Sequence, residues 1–428
     1  MKCLKIKGPV RVHGEITVNG NKNAALPMIA AVMLTDEPVV LHNVPDILDV
    51  QNMLKIAGEI GAEYTFQDNN LRIHTPKIIN SALSRKACSA LRASFLYAGP
   101  LAVRCGKSTI YPPGGDVIGH RRLDTHFYGL QKLGIALNCT PDFYEFGCKN
   151  RPVASDIFLD EASVTATEHI MITAVLAKGQ TIIRNAASEP HVTQLGELLN
   201  AMGAKISGLE TNQLTIDGVE KLHGTEFTVG GDHITAASYL ALAAATGGEI
   251  VIHGEIKPHD YWMIRRVFER FGVNFTVTPG SIRMNAEGKF KVRTDFGNAI
   301  PTISDGPWPQ FPSDMMSCIV SLATQVDGTV LFFEKMFESR LYFVDKLISM
   351  GANAVVCDPH RVVISGPTSL HGIEMTSPDI RAGMAMIIAA CCAKGTSLIR
   401  NADMVCRGYG NLIEKLRQLG VSVEEEEI

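Results

Sequence analysis

Two hydrophobic periods alternate along this chain, and the switch from one to the other recurs six times. In each case an amphipathic stretch with helical spacing closes on a bulky residue, a glycine and a small or β-branched residue. A run of β-formers follows. The closures are Ile60-Gly61-Ala62, Leu133-Gly134-Ile135, Met202-Gly203-Ala204, Phe271-Gly272-Val273, Met350-Gly351-Ala352 and Leu419-Gly420-Val421. Gly196-Glu197-Leu198-Leu199-Asn200 shows the stretch before such a closure, and Lys205-Ile206-Ser207 the run after it. A glycine that ends a helix in the left-handed conformation and hands over to a strand accounts for the punctuation. A fixed long period predicts repeated supersecondary units rather than one continuous sheet.

A second part of the pattern is closer to literal. Leu4-Lys5-Ile6-Lys7-Gly8 leads to His13-Gly14 and Thr17; Leu214-Thr215-Ile216-Asp217-Gly218 leads to His223-Gly224 and Thr228. Val363-Ile364-Ser365-Gly366 leads to His371-Gly372 and Thr376. The unit that stops at Glu427-Ile428 lacks this strand pair, while residues 3–18 supply a surplus one. The simplest closure has the two ends of the sequence complete one unit together.

Each strand pair precedes a segment that is apolar on all sides: Ala24–Leu34, Ala166–Ala177, Ala236–Ala245, Met315–Ala323 and Ala382–Ala393. Helices apolar all round are buried. The pattern predicts an α/β fold of two domains, each with three units whose central helices are wrapped by sheets and outer helices. The first residues of the central helices are polar: Lys22-Asn23, Arg92, Thr165-Ala166-Thr167-Glu168, Asp232-His233, Ser313-Asp314 and Asp379-Ile380-Arg381. Lys22, His233 and Arg381 each stand five residues past a matching threonine. A cation there opposes the helix dipole, so several such helix starts predict a bound anion.

Composition narrows the function. The 428 residues suit two domains with large cores. A formal net charge of −4 argues against general nucleic-acid binding. Ten cysteines without a C-x-x-C or a metal-like pairing with His predict a reducing, cytoplasmic setting and no metal. Met1-Lys2-Cys3 runs straight into a strand pattern, so no signal peptide is expected. The apolar runs Met28–Leu34 and Met384–Ala393 are too short to span a bilayer.

Two stretches carry chemistry. Asn19-Gly20-Asn21-Lys22-Asn23-Ala24-Ala25-Leu26-Pro27 places a Lys and an Asn where a turn enters a buried helix. Tyr111-Pro112-Pro113-Gly114-Gly115-Asp116-Val117-Ile118-Gly119-His120-Arg121-Arg122-Leu123-Asp124-Thr125-His126 is a Pro- and Gly-rich loop with a carboxylate and two arginines. Its glycines let backbone N–H groups approach phosphate oxygens and suit a lid on which Asp116 rides.

With these stretches go Leu91-Arg92-Ala93-Ser94, Ser163-Val164-Thr165-Ala166-Thr167-Glu168, Phe311-Pro312-Ser313-Asp314-Met315, Phe337-Glu338-Ser339-Arg340, Asp379-Ile380-Arg381-Ala382 and Arg407-Gly408-Tyr409. The ordered set resembles the enolpyruvyl transferases, most closely those whose acceptor is UDP-N-acetylglucosamine, and the resemblance covers essentially the whole chain. It implies two inside-out α/β barrel domains with the active site in the cleft between them. The expected divisions are 22–231, carrying the Pro-Gly-Gly loop, and 1–21 with 232–428, completed by the N-terminal strands.

The resemblance further implies transfer of the enolpyruvyl group of phosphoenolpyruvate to the sugar 3′-hydroxyl with release of phosphate. This is the first committed step of peptidoglycan synthesis, and so bears on cell wall, cell shape and cell division. It needs no metal or organic cofactor, and its partners are the two small-molecule substrates. Both are polyanions, so cations must bring them together. By resemblance, Lys22, Arg121 and Arg407 hold the phosphate of phosphoenolpyruvate, with Arg340 and Arg381 near the reacting groups. Asn23 and Asp314 contact the acceptor sugar, and Asp314 is the candidate general base. Arg92, Arg121, Arg122, Leu123, Asp124, Thr125, Ser163, Val164 and Met336 line the nucleotide-sugar site, with Asp124 accepting the uracil N–H. Asp116 is the candidate general acid, and His120 and His126 are read as packing or hydrogen-bonding residues rather than catalysts.

The chain departs from the family in four places. Asp116 stands where most members carry Cys, and Arg122 where Pro is usual. His169 replaces a common Asn, and Trp308-Pro309-Gln310 adds bulk before Asp314. A carboxylic acid delivers a proton as a thiol does, so the reaction class survives. The same change predicts resistance to fosfomycin, which alkylates the loop Cys thiolate of the family. The alternatives are a different uridine nucleotide as acceptor, or a regulatory relative that binds the nucleotide sugar without turnover.

Overall fold

A computed structural model describes residues Lys2–Gly115, Gly119 and Arg122–Glu427. The fold is α/β, with mixed sheets and helices that separate into two compact units. Among the described residues, a terminal unit holds Lys2–Asn19, Gly119 and Gly231–Glu427; an inserted unit holds Gly20–Gly115 and Arg122–Gly230. The chain passes between them at Asn19–Gly20 and Gly230–Gly231.

Three four-stranded sheets belong to the terminal unit. In the first, strand Lys2–Gly8 lies antiparallel between Gly395–Arg400 and Ser422–Glu427, with Leu4 opposite Ile399 and Glu425. Cys3, Leu4 and Ile6 are buried, while Lys2 and Lys5 face the acidic end of the sequence. In the second, Glu15–Thr17 runs parallel to Glu249–His253; in the third, Thr302–Ser304 runs parallel to Gly328–Phe333. Helices His233–Thr246, Ser313–Ala323 and Ile380–Cys392 pack against one another at the centre. They are buried along nearly their whole lengths because Ala, Ile, Leu and Met occupy every face, so no side is left for water.

The inserted unit has two four-stranded sheets and one of three strands. Its central helices are Lys22–Ala31, Ala98–Cys105 with the preceding 3-10 turn Arg92–Tyr97, and Val164–Ala174. Gly20 sits where a Cβ would fall 1.8 Å from the carbonyl oxygen of Asn43, which is why the turn into Lys22 needs glycine.

All six glycines of the helix-closing pattern have positive φ, between 73° and 117°. A strand begins two residues after five of them, Glu63–Gln67, Ala136–Cys139, Lys205–Ser207, Asn353–Asp358 and Ser422–Glu427, and four residues after Gly272, at Thr276–Thr278. Among the described residues no helix is long and apolar enough to cross a membrane.

Candidate active site

In the terminal unit the starts of the three central helices meet. Asp379 caps Ile380–Cys392 by accepting the N–H groups of Arg381 and Ala382 at 2.8 and 3.0 Å. Asp232 caps His233–Thr246 through the N–H of Thr235 at 2.9 Å. Asp314 lies in the first turn of Ser313–Ala323, where a carboxylate complements the helix dipole. Its Oδ1 accepts from Nη2 of Arg340 at 2.8 Å, and its Oδ2 from Nη2 and Nε of Arg381 at 3.0 and 3.2 Å. The structure thus brings together Asp314, Arg340 and Arg381, three of the residues singled out in the sequence.

Arg340 and Arg381 are almost wholly buried, while the Asp314 side chain is one-third exposed. The Arg381 guanidinium stacks over Tyr409 at 5.3 Å from the ring centre. The Tyr409 hydroxyl lies close, yet Nη1 of Arg381, in its buried position, makes no well-formed hydrogen bond among the described residues. A buried charged donor without an acceptor is costly, and an anionic ligand removes that cost.

His233 corrects one expectation. Burial, and then the neighbouring Arg381, push its pKa down to about 4, so it is neutral at the head of its helix and adds no cation. Its ring lies 5.9 Å from that of Trp308, edge to face. Met336 is 40% exposed, just beyond Gly328–Phe333, and Arg407 is half-buried at the end of helix Ala402–Cys406.

In the inserted unit, the Asn21 side chain caps Lys22–Ala31 by accepting the N–H of Asn23 at 2.8 Å. Lys22, at the first position of that helix, is mostly buried, and its ammonium lies 3.2 Å from Oδ2 of Asp49. Arg92 donates to the backbone oxygen of Arg122 at 2.9 Å. Leu123, Asp124 and Thr125 lead into helix Asp124–Lys132, with Thr125 donating to Glu161 at 3.3 Å. Arg122 and Asp124 are exposed and 4.0 Å apart, a contact of small energetic consequence. Ser163 and Val164 begin helix Val164–Ala174. Asp116, Arg121 and His120 lie outside the described residues.

A buried imidazole pair supports this second group. His169 Nε2 accepts the N–H of Gly99 at 2.9 Å, so its proton sits on Nδ1. Nδ1 then donates to Nδ1 of His126 at 3.1 Å, which leaves Nε2 of His126 to donate to Thr165 at 3.1 Å. Burial pushes both pKa values down, His126 well below the usual range and His169 to about 3. A neutral relay with fixed tautomers therefore ties Asp124–Lys132 to Val164–Ala174, and His126 serves as a strut.

Asp49, Glu334 and Asp305 were missed in the sequence. Glu334 had a signal: it follows Val330 and Phe332 at period two, so the strand pattern carries a carboxyl onto the buried face. Among the described residues no cluster of His, Cys, Asp and Glu has the makings of a metal site.

Residues 6–416 match the sequence profile of EPSP synthase (3-phosphoshikimate 1-carboxyvinyltransferase). The chain belongs to this family of enolpyruvyl transferases. It is 49% identical to a UDP-N-acetylglucosamine 1-carboxyvinyltransferase of Treponema denticola and 50% identical to one of Borreliella burgdorferi, covering 99% of each chain in both cases. The fold is similar to that of the enolpyruvyl transferase NikO from Streptomyces tendae, with a TM-score of 0.88 at 20% identity over 99% of this chain and 98% of that one. It is also similar to EPSP synthase from Acinetobacter baumannii, with a TM-score of 0.78 at 17% identity over 100% of both chains.

Proposed function

We propose that this chain transfers the enolpyruvyl group of phosphoenolpyruvate to the 3′-hydroxyl of UDP-N-acetylglucosamine, releasing phosphate, in the cytoplasm. Full-length identity near one half to relatives that bear this activity in their names supports the acceptor. The observation that carries the chemistry is Asp314, held at a helix start between two buried arginines, one with an N–H that has no well-formed partner among the described residues.

In the addition step the sugar oxygen bonds to C2 of phosphoenolpyruvate while a proton is added to C3. In the elimination step C3 loses a proton and the C2–O bond to phosphate breaks, leaving the enol ether and inorganic phosphate. Asp314 takes the hydroxyl proton, and Asp116 delivers the proton to C3. Lys22, Arg121 and Arg407 hold the phosphate, with Asn23, Arg340 and Arg381 beside the reacting groups. Guanidinium forks suit the carboxylate and phosphate oxygens, and Lys supplies a compact charge. Arg92, Arg122, Leu123, Asp124, Thr125, Ser163, Val164 and Met336 receive the nucleotide sugar. The two units are read as two domains, each with three repeated strand-and-helix units around its central helices.

Phosphate release by the purified protein tests this reading. Release is expected only when phosphoenolpyruvate and UDP-N-acetylglucosamine are both present. Release with shikimate 3-phosphate in place of the nucleotide sugar, or none with both substrates, overturns it.

A further inference from the structure

Strands Thr302–Ser304 and Gly328–Phe333 run parallel, with Ile303 beside Phe332 and Ser304 beside Phe333. One step further along stand Asp305 and Glu334, both fully buried. Oδ1 of Asp305 accepts the backbone N–H of Lys335 at 2.5 Å, while Oδ2 has no partner among the described residues. Glu334 is richly supplied. Its Oε1 accepts the N–H groups of Met336 and Phe337 at 3.2 and 3.1 Å, and the Ser313 hydroxyl lies 2.9 Å from each of its oxygens.

Two ionised carboxylates at this place would set like charges side by side and offer only acceptors to each other. A proton on Glu334 resolves both difficulties, because its O–H then donates to the orphaned oxygen of Asp305. Burial, and then the Asp305 carboxylate, push the Glu334 carboxyl up to about 9, with Arg340 pulling the other way.

The pair reaches the candidate active site through one residue. Ser313 Oγ donates to Glu334 and accepts from Nε of Arg340 at 3.3 Å, and Arg340 grips Asp314. We propose that Asp305 and Glu334 share one proton, and that Glu334 acts through Ser313 and Arg340 as a positioning residue for Asp314. The other charged or titratable groups facing Glu334 fit this assignment. His360 Nδ1 donates to the Glu334 backbone oxygen at 2.7 Å, and the Lys335 ammonium turns away to Ser304 at 3.0 Å. With the shared proton, the charges of Asp305 and Asp314 balance those of Arg340 and Arg381. Without it, a second carboxylate competes for Arg340 and adds negative charge where anionic substrates are proposed to bind.

The kinetic part of this inference rests on the proposed reaction; the proton itself does not. Glu334 keeps its proton in the folded protein up to about pH 9, whereas an unfolded Glu loses it near its ordinary value of about 4.3. Between these values the folded state binds more protons, so stability falls as pH rises. Comparing the pH dependence of unfolding in wild type and Glu334→Gln counts that proton. Wild type is expected to take up about one proton more on folding between pH 6 and 8; equal uptake overturns the shared proton. In the kinetic arm, Glu334→Ala is expected to lower kcat about 10–100-fold. Glu334→Gln should recover most of that loss at pH 7 and lack the fall in activity near pH 9. A Gln variant as impaired as Ala, or one that keeps the alkaline fall, overturns the positioning role. Should Glu334→Ala not fold, the alkaline limbs of wild type and Glu334→Gln decide it. If no variant releases phosphate, the proposed reaction fails while the proton count still decides the pair.

Discussion

Asp314 and Arg340 form an ion pair, 2.8 Å long, in which the arginine is buried and the carboxylate is one-third open to solvent. The arrangement fixes one carboxylate oxygen against a rigid fork and leaves the carboxyl accessible to a substrate hydroxyl. The base is thereby oriented before its substrate arrives.

Replacing Asp314 with Asn tests that role. The shape is kept, but proton acceptance is lost, so kcat should fall about 10²–10⁴-fold. Because Asn presents one acceptor oxygen to two buried arginines, stability should also drop by about 1–3 kcal/mol. Steady-state phosphate release and denaturant unfolding read the two effects separately. Turnover like that of wild type in a folded variant removes Asp314 from the mechanism.

Lys22 holds Asp49 at 3.2 Å at the first position of its helix. Lys22→Ala deletes a charge proposed to meet phosphate, and a loss of about 10²–10³-fold in turnover is expected, as for removal of a transition-state donor. Kinetics at varied phosphoenolpyruvate check it. A change confined to the nucleotide-sugar KM would place Lys22 elsewhere.

The paired histidines make an acid-side prediction. His169 stays neutral in the folded protein down to about pH 3, whereas in the unfolded chain it is protonated below about 6.5. The unfolded state therefore binds more protons in that window, and stability falls as pH is lowered through it. His169→Asn should flatten this slope between pH 6 and 4. Thermal melts across that range provide the comparison, and parallel slopes would contradict the neutral pair.

At Asp116 the prediction is chemical. A free Asp has a pKa of about 3.9, so burial and two bound polyanions must raise it for the group to act as an acid at neutral pH. A carboxyl group attacks an epoxide far more weakly than a thiolate, so fosfomycin should not inactivate the protein. Asp116→Cys should retain some activity and become sensitive. Covalent, time-dependent inactivation of the unaltered protein, read by mass, would refute this.

Legibility in the sequence followed the range of the interaction. The six helix-closing glycines were readable because left-handed φ leaves a local signature, and a strand follows each within a few residues, as at Gly203 and Lys205. Buried helices such as His233–Thr246 were readable because no face is polar. Asp314, Arg340 and Arg381 were singled out from their motifs, but the salt bridges joining them depend on three separate elements meeting. His233 was misread as a potential cation because its neutrality comes from burial and from Arg381, well over a hundred positions away. Asp305 and Glu334 escaped for a related reason. Each looks like an ordinary strand-end carboxylate until the register of two parallel strands sets them side by side.

Strand Lys2–Gly8 lies between Gly395–Arg400 and Ser422–Glu427, and its Lys5 pairs with a glutamate 421 residues further on. During synthesis it leaves the ribosome long before either neighbour exists. Its edges, and the apolar side chains of Cys3, Leu4 and Ile6 that are buried in the finished fold, must wait uncovered through the making of the whole inserted unit. The terminal unit therefore cannot close in the order in which it is made, and its first strand is among the last to find a place. For the nascent chain, that interval is the period of greatest exposure to mispairing and to chaperone capture.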